Sequence, residues 1–162
     1  MPVRIRELAD ADLEEVVALS LRAWAPVFES MRGVLGDAVY RHLYPDWRSM
    51  QARAVEQVCC DAAGSWVADV GGAPVGFVAV VHHGPTDDEP CSGEIEMIAV
   101  DPQHQRRGVG RQLIDHALDQ FRRAGLRLAV VATGGDPGYG PHGPPTRSPA
   151  SALPLVRYYQ AL

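Results

Sequence analysis

The sequence is poor in cysteine, and no cysteine is placed for a redox or metal motif. The three cysteines are Cys59, Cys60 and Cys91. They form no C-x-x-C pair, and the adjacent Cys59 and Cys60 would bridge each other only with strain. We therefore expect reduced thiols and a cytoplasmic protein. The one histidine pair, His82-His83, would point to opposite faces of a strand, so no metal site is predicted.

The sequence also lacks a long apolar run and an excess of positive charge. No stretch approaches the length of a membrane span, and the acidic start of the chain does not resemble a signal peptide. Fifteen basic side chains stand against twenty acidic ones, which gives a net charge of −5. Because nucleic-acid binding needs a basic face, neither nucleic acid nor membrane is an expected partner. A cationic amine is compatible with this charge.

What the sequence does contain is enough apolar material for a folded domain. The chain has 162 residues, of which 46% are hydrophobic and 22% are charged. This balance is typical of soluble globular proteins, and the length suits one domain with a substantial core. We predict a single domain over residues 1–162.

The most informative stretch is a strand, a turn and a helix between residues 94 and 125. Residues 94–100 combine two acidic side chains with mostly apolar ones, as expected of a largely buried strand. Asp101-Pro102 ends that strand, since proline marks a turn. From Val109 the apolar residues recur at helical spacing, and Gly125 ends the helix.

The turn between strand and helix predicts an anion site. Free N–H groups at the start of a helix attract anions, and arginine side chains add positive charge around the same point. The pattern is neither a Walker loop, which needs Gly-Lys-Ser/Thr, nor a complete G-x-G-x-x-G. A capped helix with a solvated basic end is the plainer alternative, but glutamine, glycines and arginines in register favour a phosphate cradle. Its residues are Gln105, Arg106, Arg107, Gly108, Val109, Gly110 and Arg111.

This turn resembles the Q/R-x-x-G-x-G/A signature of the GNAT superfamily of acyl-CoA N-acyltransferases. The preceding I-A-V-D-P and the following helix match as well, and the resemblance covers about residues 1–135 and the last ten. It implies an α/β (α+β) GNAT fold: a mixed, mostly antiparallel central sheet that is splayed at the acyl-CoA site and flanked by helices.

The resemblance also implies acetyl-CoA as co-substrate, and the histidine and cysteine pattern predicts no metal. Its pantetheine arm would enter between the strand that ends at Val100 and a second strand at Leu126–Ala132. Main-chain groups of the first strand would then bind the arm as if it were another strand. Besides the turn residues, the predicted cofactor-binding positions are Met97, Ile98, Ala99 and Val100.

Two carboxylates, Glu94 and Glu96, are the candidate catalytic bases. Strand alternation places them on one face, and an apolar setting would raise their proton affinity. Glu94 lies at the distance from the glycine turn where several members of the resembled family place a base, so it is the first choice. The alternative is that either carboxylate only binds a cationic substrate or forms a surface ion pair.

Before this stretch the pattern predicts helices and then a hairpin. A first helix leads to Trp24 and is expected to stop at Pro26, and a second helical region, 37–60, breaks at Tyr44-Pro45-Asp46. Strands are predicted at 65–70 and 74–83. In the resembled family such helices cap the acceptor cleft. Packing explains most of their aromatic residues, but some are candidates to line an amine pocket: Trp24, Phe28 and Trp47.

The segment 134–153 is anomalous because it is rich in glycine and proline. The resembled family has a helix of the form A-R-x-x-Y-E-x-x-G-F here, whose tyrosine often protonates the leaving thiolate. With G/C-rich codons, a shifted reading frame of Pro141–Ala152 gives A-R-P-A-Y-E-V-A-G-F-S, so compensating frame changes are one hypothesis. Tyr139, Tyr158 and Tyr159 are weak substitutes for the missing acid.

Three functions are compatible with these residues. The first is an N-acetyltransferase that acts on a primary amine of a small molecule or protein. The second is an acyl-CoA-binding protein of the same fold that lacks catalysis. The third is an interaction module built on the aromatic helices. The acceptor and the oligomeric state, monomer or homodimer, are left open.

Overall fold

A computed structural model describes residues 2–134 and 155–162, with side chains described for 2–131 and 160–162. The anomalous segment 134–153 lies outside this part of the chain, apart from the backbone of Gly134. So does Tyr139, and for Tyr158 and Tyr159 only the backbone is described.

In the part of the chain that the structure describes, the core of the fold is a six-stranded sheet whose spatial order follows the chain. All neighbouring strands are antiparallel except the fourth and fifth, which are parallel. The predicted fold class is therefore confirmed. The strands are β1 Arg4–Glu7, β2 Gly64–Val70, β3 Ala73–His83, β4 Ser92–Val100, β5 Leu128–Gly134 and β6 Leu155–Ala161.

Helices cover both faces of this sheet. The helices are α1 Leu13–Leu35, α2 Asp37–Leu43, α3 Trp47–Asp61 and α4 Val109–Arg123, with short 3-10 turns at Asp10–Asp12 and Pro102–His104. On one face α4 buries an apolar row of Val109, Leu113, Ala117 and Phe121. On the other face α1 and α3 bury Val16, Leu19 and Val55 against β2, β3 and β4.

The prediction that Pro26 ends the first helix is wrong. α1 runs through Pro26 to Leu35, and the chain turns only at Gly36, whose φ of 77° suits glycine. Proline removes one helical hydrogen bond, but burial of Phe28 and Met31 holds the following turns against the rest of the protein. The predicted break before Trp47 is confirmed.

β4 contains a bulge at Glu96, which sequence alternation did not predict. Met97 pairs with Ala79 and Ile95 pairs with Val80, so Glu96 is the extra residue. Beyond a bulge the alternation of side chains changes sides. Ile95 consequently packs towards α4, whereas Met97 packs towards α1 and α3.

β4 and β5 separate along their length. Their pairing joins Ser92–Ile95 to Leu128–Val131 and ends there. The rest of β4, residues 96–100, keeps β3 as a neighbour but is not paired with β5. This is the splay that the resemblance implies, and within residues 2–134 and 155–162 it leaves one main-chain edge of β4 without a neighbouring strand.

Candidate functional site

A cleft of about 420 Å³ lies where the open edge of β4 meets the start of α4. One wall is the end of β4, the second is the turn before α4, and the third is the middle of α1. The residues that line the cleft are Ala23, Trp24, Val27, Ile98, Ala99, Val100, Gln105, Arg106 and Gly110. More than half of the predicted cofactor-binding residues are thus brought together at this cleft.

The two glycines of the turn are used for different reasons. Gly108 caps α4 with a φ of 82°, a left-handed conformation that other residues adopt only with strain. Gly110 already lies inside the helix, and a Cβ there would meet only Val100 Cγ2 at an ordinary 3.7 Å. Among the described residues, no neighbour therefore requires glycine at Gly110, which is the position that faces the cleft. Close approach of a ligand would require it.

The start of α4 offers main-chain donors next to positive charge. The helical ladder begins with the Gln112 N–H donating to Gly108 O at 3.1 Å, so the preceding N–H groups have no partner within the helix. Arg106 lines the cleft, and its own backbone is in the left-handed conformation, with a φ of 61°. Arg107 and Arg111 are exposed on the same turn. This combination suits a phosphate group.

Two side-chain interactions hold the walls of the cleft in place. Gln105 Nε2 donates to the carbonyl oxygen of Val100 at 2.9 Å and so ties the turn to the end of β4. Arg22 Nε, from α1, donates to Asp101 Oδ2 at 2.8 Å. The other oxygen of Asp101 accepts the Gln103 N–H at 2.9 Å. The buried Asp101 carboxylate therefore joins α1 to the turn that precedes the glycines.

Asp101 stays ionised in this buried position. Burial alone would raise the pKa of its carboxyl, but the hydrogen bonds from Gln103 and Arg22 outweigh burial and leave the pKa below its usual value. The interaction with Arg22 thus depends on a charge that is preserved over most of the pH range.

The remaining predicted cofactor residues take other positions. Met97 and Val109 are buried in the two apolar cores, so only their main chains are available to a ligand. The side chain of Arg111 extends to Asp115, with 3.7 Å between Nε and Oδ2. Gly108 shapes the turn without lining the cleft.

The two candidate bases lie at the closed end of the splay, on the face that carries α1 and α3. Glu94 pairs through its backbone with Val130 of β5, and Glu96 is the bulge residue two positions further along β4. The prediction of a shared face is right, but the reason differs. Because of the bulge, Glu96 lies with Glu94 near Asp61 and His83. In a regular strand Glu96 would share a face with Ile98, which packs on the α4 side.

The environments of the two carboxylates differ. Burial raises the pKa of the Glu96 carboxyl, and the negative charges of Glu94 and Asp61 act in the same direction, while His83 opposes them. Glu94 instead has a direct partner, since its Oε2 lies 2.7 Å from His83 Nε2. A carboxylate with raised proton affinity next to one with a fixed orientation can support proton transfer.

Only one of the three predicted aromatic pocket residues reaches the cleft. Trp24 lines it. Phe28 and Trp47 stack on each other with ring centroids 4.3 Å apart, inside a separate cluster with Met31 and Tyr40. The expectation that packing explains most of these aromatics holds for that pair.

Sequence reasoning missed the contributions of Ala23, Val27, Arg22 and His83. The first two line the cleft, and the other two hold acidic residues far away in the chain. No local pattern could have identified them, because their partners come from another element. Among residues 2–134 and 155–162, no helix is long and apolar enough to cross a membrane, and no three potential metal ligands cluster.

Comparison with known proteins gives a consistent family. The family model described as "Acetyltransferase (GNAT) family" matches residues 34–137. Mycothiol acetyltransferase of Rhodococcus jostii is 29% identical over 81% of this chain and 46% of its own length. N-alpha-acetyltransferase RimI of Mycobacterium tuberculosis is 39% identical over 41% of this chain and 40% of its own length. The chain thus spans about half the length of the curated relatives that it matches.

A solved structure shares the fold. A GNAT family acetyltransferase from Brucella melitensis, in complex with acetyl-CoA, matches with a TM-score of 0.59 and 24% identity. The match covers 85% of this chain and 79% of that one. At this identity the likeness establishes a common fold.

Proposed function

Because the chain belongs to the acetyltransferase (GNAT) family, we propose that it transfers an acetyl group from acetyl-CoA to a primary amine. The observation that carries this proposal is the continuity between the open edge of β4 and the glycine turn, which meet in one cleft. We extend the assignment to residues 1–162 as one domain. The free cysteines Cys59, Cys60 and Cys91 support a reducing, cytoplasmic setting.

The acetyl-CoA diphosphate would be held by the main chain and arginines of the turn. The N–H groups that follow Gly108 suit its phosphate oxygens, and Arg106, Arg107 and Arg111 add charge. The open main-chain edge between Met97 and Val100 suits the amides of the pantetheine arm. At about 3.3 Å per residue, the four steps from Val100 back to Glu96 span roughly 13 Å, so an extended arm would lead towards the carboxylates.

Bound acetyl-CoA would supply the acetyl group as a thioester, and coenzyme A would be the leaving group. The protein must contribute the rest. A carboxylate, Glu94 as first choice and Glu96 as second, takes the proton of the acceptor's ammonium group. Main-chain N–H groups between Met97 and Ala99 are the candidates to stabilise negative charge on the acyl oxygen. Trp24 and its neighbours on α1 would exclude water from the cleft.

The acceptor is proposed as a class. The relatives' names indicate two kinds, a small molecule in mycothiol acetyltransferase and an α-amino group in N-alpha-acetyltransferase RimI. The acidic groups Glu94, Glu96 and Asp61 would favour a cationic amine of either kind. A small-molecule amine or a protein amino group therefore both remain candidates.

Acyl-CoA binding without catalysis is the alternative. It is favoured by the Gly/Pro-rich sequence of segment 134–153, at the position where the resembled family has a tyrosine-bearing motif. Both functions predict a higher melting temperature with acetyl-CoA, by about 5–10 °C at a hundredfold excess over Kd. An unchanged melting temperature would contradict both.

Release of coenzyme A in the presence of amines separates the two. The panel should contain small amines, amines related to mycothiol, and peptides with free α-amino groups. Because Cys60 is exposed, the product should be measured by chromatography instead of a thiol reagent. Acetylated amine together with free coenzyme A supports transfer, whereas binding without product for every amine supports the alternative.

A further inference from the structure

The sheet brings together a histidine and a glutamate that are 11 positions apart in the sequence. His83 is the last residue of β3 and Glu94 is the third residue of β4. His83 pairs with Ser92 and Glu94 pairs with Val81, two rows apart in the β3–β4 ladder, and His83 Nε2 is 2.7 Å from Glu94 Oε2. The side chain of His83 is 51% exposed and that of Glu94 is 25% exposed. The interaction therefore connects a solvent-exposed imidazole to a partly buried carboxylate.

This pair lies at the end of the splay where the proposed reaction would occur. Glu94 pairs with Val130 in the next-to-last row that joins β4 to β5. One residue further, the two strands part. The pair is thus located at the closed end of the open β4 edge, on the same face as α1 and α3.

We propose that His83 is a positioning residue for Glu94 in the acetyl-transfer reaction. It binds Oε2 and so leaves Oε1 as the oxygen available to the acceptor amine or to a water next to it. Within the described residues Oε1 accepts no hydrogen bond, which is consistent with this division. The inference rests on the proposed function and assigns a role to a residue that the cleft and the glycine turn do not involve.

The proton transfer that His83 would assist is simple to balance. An N–H bond of the acceptor's ammonium breaks, its electron pair stays on nitrogen, and an O–H bond forms at Oε1 of Glu94. The proton then passes to bulk water, which the half-exposed site can reach. With one oxygen held by His83, the carboxylate has fewer orientations to search, and orientation of this kind contributes to the rate.

The charges around the pair set the expected pH dependence. Glu94 and Glu96 face it from β4, Asp61 from the end of α3, and His83 itself from β3. His83 acts to lower the pKa of the nearby Glu96 carboxyl, against the effects of burial and of the negative charges. Loss of the imidazole should therefore move the acidic limb of the kcat/KM profile to higher pH, and a purely structural contact would not produce this displacement.

The neighbouring His82 provides a matched control. It is the same residue type one position earlier, but it points to the opposite face, where its ring contacts Phe121 with centroids 5.9 Å apart. We expect His83→Ala to lower kcat about tenfold with little change in KM for acetyl-CoA, by analogy with other orienting partners. His82→Ala should leave both unchanged, within about twofold, and should not displace the pH profile.

A conservative variant separates orientation from bulk. The amide of His83→Gln can donate to Oε2, so it should recover part of the kcat lost in His83→Ala. If His83→Gln recovers the rate but not the wild-type pH position of the acidic limb, the result would fit a neutral hydrogen-bond donor in place of a cationic one. Equal rates and equal pH profiles for His83→Ala and His82→Ala would overturn the inference.

A readout without turnover keeps the inference separate from the proposed function. Nitrogen-15 NMR of the imidazoles should show His83 Nε2 in a hydrogen bond that is lost in Glu94→Ala, which removes the acceptor, and retained in His82→Ala. Acetyl-CoA binding is measured for each variant. Wild-type protein that binds acetyl-CoA but acetylates no amine removes the proposed transfer and this role with it. Transfer by the wild type with no His83–Glu94 bond in the NMR spectrum removes the positioning role alone.

Discussion

The two sides of the cleft are specified in different ways. The stretch from β4 to α4, residues 92–123, carries its function in local backbone geometry: an open strand edge, a left-handed cap at Gly108 and free N–H groups. The helical layer, residues 13–61, contributes through side chains that reach the cleft only because three helices pack together. The first side depends on few side chains, whereas the second depends on many.

The two sides should therefore respond differently to substitution. A main-chain cradle depends on few side chains, so most substitutions around it leave the phosphate donors in place. A wall made of Ala23, Trp24 and Val27 changes shape with each substitution. We therefore expect variants of the helical layer to divide into those that affect stability and those that affect ligand binding.

The largest effect should come from the aromatic cluster behind the helical wall. Phe28 is 4% exposed and stacks on Trp47. Phe28→Ala should lower the free energy of unfolding by about 3–4 kcal/mol, or about 10 °C in melting temperature, because it leaves a cavity. Urea unfolding measures the change.

Trp24→Ala is the comparison for that variant. Trp24 is only partly buried and lines the cleft, so it should cost about half as much stability and should weaken acetyl-CoA or amine binding. Unfolding and isothermal titration should be done on both proteins. If Phe28→Ala reduced ligand affinity more than Trp24→Ala in the folded protein, the separation between packing and pocket residues would be wrong.

The next effect concerns the glycine turn. Gly110→Glu should weaken acetyl-CoA binding at least about a hundredfold, or ~2.7 kcal/mol, since a charged side chain would block the diphosphate and repel it. The free protein should be no less stable, because a Cβ fits at Gly110 and an acidic residue suits a helix N-terminus. Titration calorimetry and a melting curve test the two parts.

Gly108→Ala is the contrasting control. At a φ of 82° it should destabilise the free protein by about 1 kcal/mol or more, because the strain is in the backbone. Gly110→Ala, in contrast, should raise helix stability by up to about 1 kcal/mol. Unimpaired acetyl-CoA binding by Gly110→Glu would remove the phosphate cradle, whatever the stability data showed.

The side of the cleft from β4 to α4 could be predicted from the sequence more completely than the helical side. Strand β4, the turn and α4 were predicted closely, because glycine, proline and helical periodicity act within a few residues. The splay was expected from the family resemblance and was found in the pairing of β4 with β5. The same resemblance identified Gln105, Arg106 and Gly110, which line the cleft.

The rest depends on contacts that no local pattern contains. The bulge at Glu96 arises from the register between two strands joined by a loop, and that register is fixed by packing on both faces. Continuation of α1 through Pro26 depends on burial of Phe28 beyond it. The Arg22–Asp101 pair joins residues 79 positions apart in sequence. Sequence periodicity predicts the secondary-structure elements but not these tertiary contacts between them.

The Arg22–Asp101 interaction gives a third, intermediate effect, since it connects the two walls. Arg22→Ala should lower the free energy of unfolding by about 1–2 kcal/mol and weaken acetyl-CoA binding, because it leaves a buried carboxylate without its cation. Arg32→Ala, which breaks the exposed pair of Arg32 with Asp37, should change stability much less and leave binding unchanged. Equal effects would mean that Asp101 does not hold the walls together.

The pH dependence of this pair has a definite sign. Because the pKa of Asp101 is lowered in the folded state, its contribution is present above the pKa of the unfolded chain and is lost as the pH falls through the folded value. The stability difference between wild type and Arg22→Ala should therefore shrink in acid. Urea unfolding at neutral pH and at about pH 3 measures it.

The smallest effect should come from Glu96, and its sign is opposite. Since burial, Glu94 and Asp61 raise the pKa of Glu96, its ionised form is less stable in the folded protein than in the unfolded chain. This penalty is absent below the unfolded pKa and develops as the pH rises through the raised value. Glu96→Gln should therefore raise the melting temperature by about 1–2 °C at neutral pH and should not raise it in acid.

Glu94→Gln sharpens this prediction, because it removes a negative charge that acts on Glu96. Carboxyl carbon-13 NMR should then show the pKa of Glu96 moving down, whereas His83→Ala should move it up. Opposite displacements would place the three groups in one electrostatic unit at the closed end of the splay. If neither variant moved the Glu96 titration, the acidic end of the cleft would be a set of independent surface groups, and recognition of a cationic amine would have to come from the helical wall alone.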